Sequence, residues 1–196
     1  MVFQNEEDEM SAGANLLVDY YDAKPDARIR LIFRNYVNFE YLLDLYGKAI
    51  SSKIIAAKNG RHRNTAEELG VRIQTSFIGD MTCETAVSNV SIEADIMAGN
   101  YHRGLLEDMD EEDSLMFSRE LVTLQVMRDE FELVSTEVER LKPSEKKVFI
   151  PYIMKEKTIQ EIADDRNIEY DSVRKSLKRI KKRIRRCVVP FLREEI

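Results

Sequence analysis

Between Pro25 and Ile50 the apolar residues Ile29, Ile32, Tyr36, Phe39, Leu43, Tyr46 and Ile50 recur at spacings of 3, 4, 3, 4, 3 and 4. That is the period of one helix face, not the alternation of a strand. Pro25 suits a helix start and Asn59-Gly60 a helix stop, so the pattern predicts one amphipathic helix of about 30 residues. A second stripe, Phe117, Leu121, Leu124, Met127, Phe131, Val134, Val138 and Leu141, repeats at 4, 3, 3, 4, 3, 4 and 3. Each stripe needs a partner, and two in one chain supply one another, which predicts an all-α fold with long amphipathic helices packed as a bundle.

The connecting stretches are read from their breaks. Residues 61–80 are polar and irregular, interrupted by Gly70 and Gly79, and read as a loop. Thr82 is then a candidate cap for a helix running to about Met97, with Ala86, Val90 and Ile96 among its inward residues, closed by Gly99-Asn100. From Glu107 to Asp113 six of seven residues are acidic, which predicts a solvated connector ahead of Ser114 as the next N-cap. Residues 1–24, with Glu6-Glu7-Asp8-Glu9, read as an acidic, partly disordered N-terminus.

Charge changes the picture because it is unevenly placed. The chain of 196 residues has a formal charge of −6, but residues 142–196 hold 16 basic and 9 acidic residues, a local +7. The first 141 residues therefore carry −13, and such asymmetry points to a nucleic-acid contact confined to the basic segment. Three segments result: the N-terminus to residue 24, an acidic helical bundle over 25–141, and a basic segment over 142–196.

Within the basic segment the pattern predicts a helix-turn-helix. Ser144 after Pro143 opens one helix, and Thr158 caps a short second helix carrying Ile159, Ile162 and the small Ala163, which lets two helices cross closely. Asn167 tolerates the left-handed backbone that leaves this helix, and Ile168 is expected to drop into the core before a third helix begins near Tyr170. In that third helix Val173, Leu177, Ile180 and Ile184 form a buried stripe, and nine of the thirteen residues from Arg174 to Arg186 are Lys or Arg. The opposite face can enter a major groove. Tyr170, Asp171, Ser172, Arg174 and Lys175 near its start are the candidate base readers, with Arg174 placed for a bidentate guanine contact. Lys178, Arg179, Lys182 and Arg183 are candidate phosphate contacts, and Thr158 completes the DNA-binding set.

The Thr158-Ile-Gln-Glu-Ile-Ala pattern, the Asn167-Ile168 turn and the Ser172-Val173-Arg174 helix with its basic extension resemble region 4 of bacterial sigma factors, the module that reads the upstream promoter element. The layout of the whole chain, including the Thr-Cys-Glu-Thr segment from Thr82 to Thr85, is similar to the phage and prophage late-transcription regulators of the RinA/ArpU type. The resemblance implies a sequence-specific transcription regulator, a phage or prophage activator of late genes that binds double-stranded DNA and acts with host RNA polymerase in the bacterial cytoplasm. A homodimer is compatible with it. Three positions depart from the pattern: Arg166 stands where such modules bury a Leu and would bury only its stem, Glu169 replaces the usual Ser or Thr cap, and Pro151 would end or bend the first helix. Two further readings remain open, a sigma-like factor that binds core polymerase directly and a phage small terminase subunit that binds packaging-site DNA.

Other chemistry finds little footing. His62 and His102 stand apart from carboxylates or thiols at ligand spacing, so neither a metal nor a cofactor is expected. Cys83 and Cys187 lie outside any CxxC, and the paired acids have no base or nucleophile beside them, so no enzyme is expected. No apolar run approaches the roughly 18 residues of a membrane span.

Overall fold

The structure, a computed structural model, describes residues 16–68, 81–107 and 109–196. It is all-α, with no strand among the described residues. The helices are α1 (Leu16–Asp22), α2 (Pro25–Asn35), α3 (Phe39–Glu68), α4 (Met81–Ala98), α5 (Glu111–Glu139), α6 (Pro143–Ile153), α7 (Ile159–Arg166) and α8 (Tyr170–Val188). No helix among the described residues is long and apolar enough to cross a membrane.

Of the stripe after Pro25, Ile29, Ile32, Phe39, Leu43 and Ile50 are buried as the spacing predicts, whereas Tyr36 and Tyr46 are half-buried. The stripe is not one helix, however, because a 3₁₀ turn over Tyr36–Asn38 separates α2 from α3. Asn35 turns its side-chain amide onto the carbonyl of Leu31 at 3.0 Å, a local bond that competes with continuing the helical ladder. At the other end α3 runs through Asn59-Gly60 to Glu68, so the loop expected over 61–80 is corrected for residues 61–68, and residues 69–80 lie outside the described residues. A glycine within a helix costs about 1 kcal/mol relative to alanine, which weakens a helix without stopping it.

The stop at Gly99-Asn100 holds. Gly99 has φ 75°, and the N–H of Asn100 returns to the carbonyl of Asp95 at 2.8 Å, closing α4 in a left-handed cap. The N-cap expected of Thr82 lies among residues whose side chains are outside the described set. Of the inward residues expected on α4, Ile96 is buried, but Ala86 is exposed and Val90 is 68% exposed, because Ile92 takes the inward position. The acidic run is also corrected. α5 begins at Glu111, and the cap is Asp110, whose Oδ1 accepts from the N–H of Asp113 at 3.0 Å, not Ser114. Glu111, Glu112 and Asp113 occupy its first turn, where the helix dipole favours negative charge.

The chain forms two compact units. One spans 44–125, with Ile54, Ile92, Ile96, Leu105, Phe117, Leu121 and Leu124 in its core and a Lys53–Glu120 ion pair at 2.8 Å on its surface. The other joins residues up to Leu43 to Val126–Ile196, so the basic segment shares its core with α1, α2 and the second half of α5. In this second unit Phe39 stacks on Phe131 with ring centroids 4.8 Å apart, and Phe33 meets the edge of Phe149 at 6.1 Å. Its centre holds charge. Arg28 is fully buried, and its Nε bonds both oxygens of Glu130 at 3.0 Å while Nη1 and Nη2 donate to the carbonyls of Ala23 and Arg193. The Tyr20 hydroxyl donates to the same Glu130 at 2.5 Å, and burial, reinforced by that carboxylate, pushes its ionisation well above the ordinary tyrosine range. Every guanidinium nitrogen of Arg28 is thereby engaged, which is the condition under which a buried ion pair is tolerable.

Candidate nucleic-acid interface

α6, α7 and α8 pack on one another, and short connections fix how they meet. α6 begins at Pro143, one residue before the expected Ser144, and the Glu145 carboxylate accepts from the backbone N–H of Lys142 at 3.1 Å. Pro151 lies in its last turn, and the helix ends two residues later at Ile153. Lys155 then turns left-handed at φ 53°, and the carbonyl of Pro151 collects the N–H groups of Glu156 and Lys157.

Thr158 caps α7 as its sequence predicts. Its Oγ1 accepts from the N–H of Glu161 at 3.3 Å, while the Glu161 carboxylate accepts from the Thr158 N–H at 2.7 Å and hydroxyl at 2.8 Å. These bonds hold the Glu161 carboxyl below the usual glutamate range. The Thr158 hydroxyl is thus committed to the cap. Ile162 and Ala163 are buried, and Asn167 is left-handed at φ 51°, ψ 48°, with the Ile168 N–H reaching the Ala163 carbonyl at 3.0 Å.

Ile168 is 42% exposed and does not drop into the core. The Schellman-type turn already satisfies the end of α7 through its backbone, so the geometry needs no apolar plug. Arg166 is exposed, leaving the position without a buried anchor. Glu169 precedes α8 without a side-chain cap bond.

α8 is the most polarised helix of the molecule. Val173, Leu177, Ile180, Ile184 and Val188 are buried along one face. Tyr170, Asp171, Ser172, Arg174, Lys175, Lys178, Arg179 and Lys182 are all exposed, and these eight candidate residues share one helix. Arg183 departs from them. Its two terminal nitrogens clamp the Glu145 carboxylate at 2.8 and 2.9 Å, turning the guanidinium toward the start of α6. That bidentate bond holds Glu145 below the ordinary glutamate range.

A groove of about 1180 Å³ runs beside α8, and its far wall comes from outside the basic segment. Arg30 and Arg34 of α2 form that wall, and Lys155 also lines the groove. From α8 the groove takes Arg174, Lys178 and Lys182 of the candidate set. Nine of its seventeen lining residues are basic and only Asp26 is acidic. Its floor is apolar, with Phe33, Tyr152, Ile159 and Leu177, and Lys181 lies over the Tyr152 ring at 4.6 Å. Asp26 does not sit there unopposed, since it accepts from Arg185 Nε at 2.7 Å and from Arg30 at 3.0 Å. The available signal for the missed wall is an i, i+4 pair of arginines, Arg30 and Arg34, in an otherwise acidic segment. What that signal lacks is any hint that α2 lies beside α8.

The arrangement can bind polyanions by charge and present hydrogen-bond donors from one exposed helix, and cations at this density make such binding salt-sensitive. Comparison with protein-family models, with curated proteins and with solved structures finds no match for this chain.

Proposed function

We propose that the protein is a sequence-specific DNA-binding transcription regulator whose helix-turn-helix is formed by α7 and α8, with α8 as the recognition helix. The observation that carries this reading is the polarity of α8: five apolar residues on one face are buried, and a continuous exposed face presents Arg174, Lys175, Lys178, Arg179 and Lys182. A helix in that setting can lie in a major groove with its first residues at base edges and its later cations on phosphates. The left-handed Asn167 and the capped start of α7 support it, because they fix the angle at which α8 leaves the turn. The resemblance to sigma region 4 and to RinA/ArpU-type regulators extends the proposal to activation of phage or prophage late genes with host RNA polymerase. Apart from Arg30 and Arg34 in the groove wall, the acidic remainder of the chain, at −13, disfavours DNA and is left to meet protein.

Selection of bound duplexes from a random pool with the full-length chain tests this. The expected result is one enriched motif, bound roughly 10³-fold or more tightly than random duplex at physiological salt. Equal recovery of all sequences would overturn sequence-specific regulation. Footprints at late-gene promoters support the activator, whereas footprints confined to packaging sites would replace it with the terminase reading.

A further inference from the structure

We propose that the N-terminal segment of this chain, Met1 to Glu9, docks in the basic groove between α2 and α8 and thereby masks Arg174, Lys178 and Lys182 from DNA. The groove has two chemical features, and duplex DNA answers only one of them. Its rim is cationic, which suits phosphate, but its floor of Phe33, Tyr152, Ile159 and Leu177 is apolar and half-buried or buried. A phosphodiester backbone gains nothing from such a floor. The fitting occupant joins acids to apolar side chains in a short stretch.

Residues 1–15 lie outside the described residues and read Met1-Val2-Phe3, then Glu6-Glu7-Asp8-Glu9 after two polar residues. Three apolar side chains could fill the floor while four acids meet the rim. The chain's other acidic run is already used, since Glu111 to Asp113 form the first turn of α5. Reach is sufficient. Leu16 is buried in the unit that contains the groove and precedes the groove residue Asp26 by ten positions, at most about 36 Å of fully extended chain and less through α1. The thirteen steps from Leu16 back to Phe3 can extend about 45 Å. Tethering holds the segment near an effective concentration of about 1 mM, so a free peptide that binds with a Kd of about 0.1 mM would occupy the tethered site roughly ten to one.

Docking can be tested without DNA, while its masking effect rests on the DNA-binding reading, so the two fail separately. In the full chain, a photo-crosslinking benzoylphenylalanine placed at Phe3 is expected to label Phe33, Tyr152 or the Val189-Pro190 segment; labelling elsewhere, or only between molecules, overturns the docking. A synthetic peptide of residues 1–15 should bind the Phe3→Ser variant, whose groove is vacated, and lose that binding in high salt. In DNA titrations at low salt, Phe3→Ser and the neutralised Glu6→Gln/Glu7→Gln/Asp8→Asn/Glu9→Gln chain should each bind about tenfold more tightly than the native chain. The Phe3 variant is decisive because it changes no charge. If only the neutralised chain gains affinity, the acids act by general repulsion and the masking proposal is wrong.

Discussion

Arg183 of α8 holds Glu145 of α6 in a two-pronged bond, at 2.8 and 2.9 Å, and so belongs to the fold before it belongs to any ligand. Its side chain is 42% exposed, against 15% for Glu145, which places the pair in the range where ion pairs contribute little after solvent screening. A double-mutant cycle with Arg183→Ala and Glu145→Ala should give a coupling of about 0.5–1 kcal/mol in denaturant unfolding. In DNA titrations Arg183→Ala should reduce the salt slope less than Lys182→Ala, whose ammonium faces solvent. Equal reductions would place Arg183 on phosphate.

The same bond predicts an acid dependence. Arg183 lowers the Glu145 carboxyl, and the Thr158 cap lowers that of Glu161. A carboxyl lowered on folding contributes stability that is fully present above its unfolded value of about 4.3 and is lost as pH falls through the folded value. Stability should therefore decline as pH drops below about 5, and the decline should be shallower in Glu145→Gln. Parallel curves for the two proteins, followed by urea unfolding from pH 7 to 3, would remove the Glu145 contribution.

Glu130 carries a larger share. It is 3% exposed and receives both Arg28 and Tyr20, so Glu130→Ala leaves a buried guanidinium without its counter-charge. The expected cost is about 3–5 kcal/mol in urea unfolding. Pairing that change with Arg28→Met should recover much of it, since an apolar replacement of both partners removes the uncompensated charge. A double variant no more stable than Glu130→Ala would instead make the bonds to Ala23 and Arg193 the main contribution of Arg28.

Those backbone bonds bear on where the basic part of the chain ends as a folding unit. The run of charge begins at Lys142, but Arg28 reaches the carbonyl of Arg193, Asp26 pairs with Arg185, and Phe33 packs on Phe149. A fragment of residues 142–196 loses all three. It should show less helix by circular dichroism and a broader melting transition than a protein in which residues 16–43 and 126–196 are both present. A fragment that melts as sharply as the full chain would show that these contacts are dispensable.

What the sequence made legible follows from how each signal is encoded. Stripes such as Phe117 to Leu141 and Val173 to Ile184 bury as read, because the helix period is local and fixed by backbone geometry. Caps with a single stereochemical solution, Gly99, Thr158 and Asn167, were legible for the same reason. Breaks were less so. Asn35 interrupts a helix that the stripe carries through, and Gly60 does not stop one, since each outcome depends on a balance of about 1 kcal/mol that neighbouring residues decide. For the candidate site, the exposed face of α8 was readable, but the groove was not. Its far wall comes from residues more than a hundred positions away, and spacing along a chain carries no record of which distant helices become neighbours.

On the proposed DNA-binding reading, Arg174 and Arg186 take different parts of the contact, the first reading bases and the second gripping phosphate. Both are exposed and both line the groove, but Arg174 lies in the second turn of α8 and Arg186 three turns further on. Rise along a helix is 1.5 Å per residue, so about 18 Å separates them, more than the width of a major groove. They cannot both reach base edges. If the N-terminal end of α8 enters the groove, Arg174→Ala should cost about 1–3 kcal/mol on the preferred duplex, much less on random duplex, and relax the sequence preference. Arg186→Ala, with Arg30→Ala and Arg34→Ala across the groove, should weaken binding alike on every sequence and lower the salt slope by about 1 for each phosphate contact removed. Titrations of the four variants on preferred and random duplex at several salt concentrations separate the two classes. Uniform weakening by Arg174→Ala would move the reading position away from the start of α8, and an unchanged slope for Arg30→Ala and Arg34→Ala would confine the DNA contact to α7 and α8.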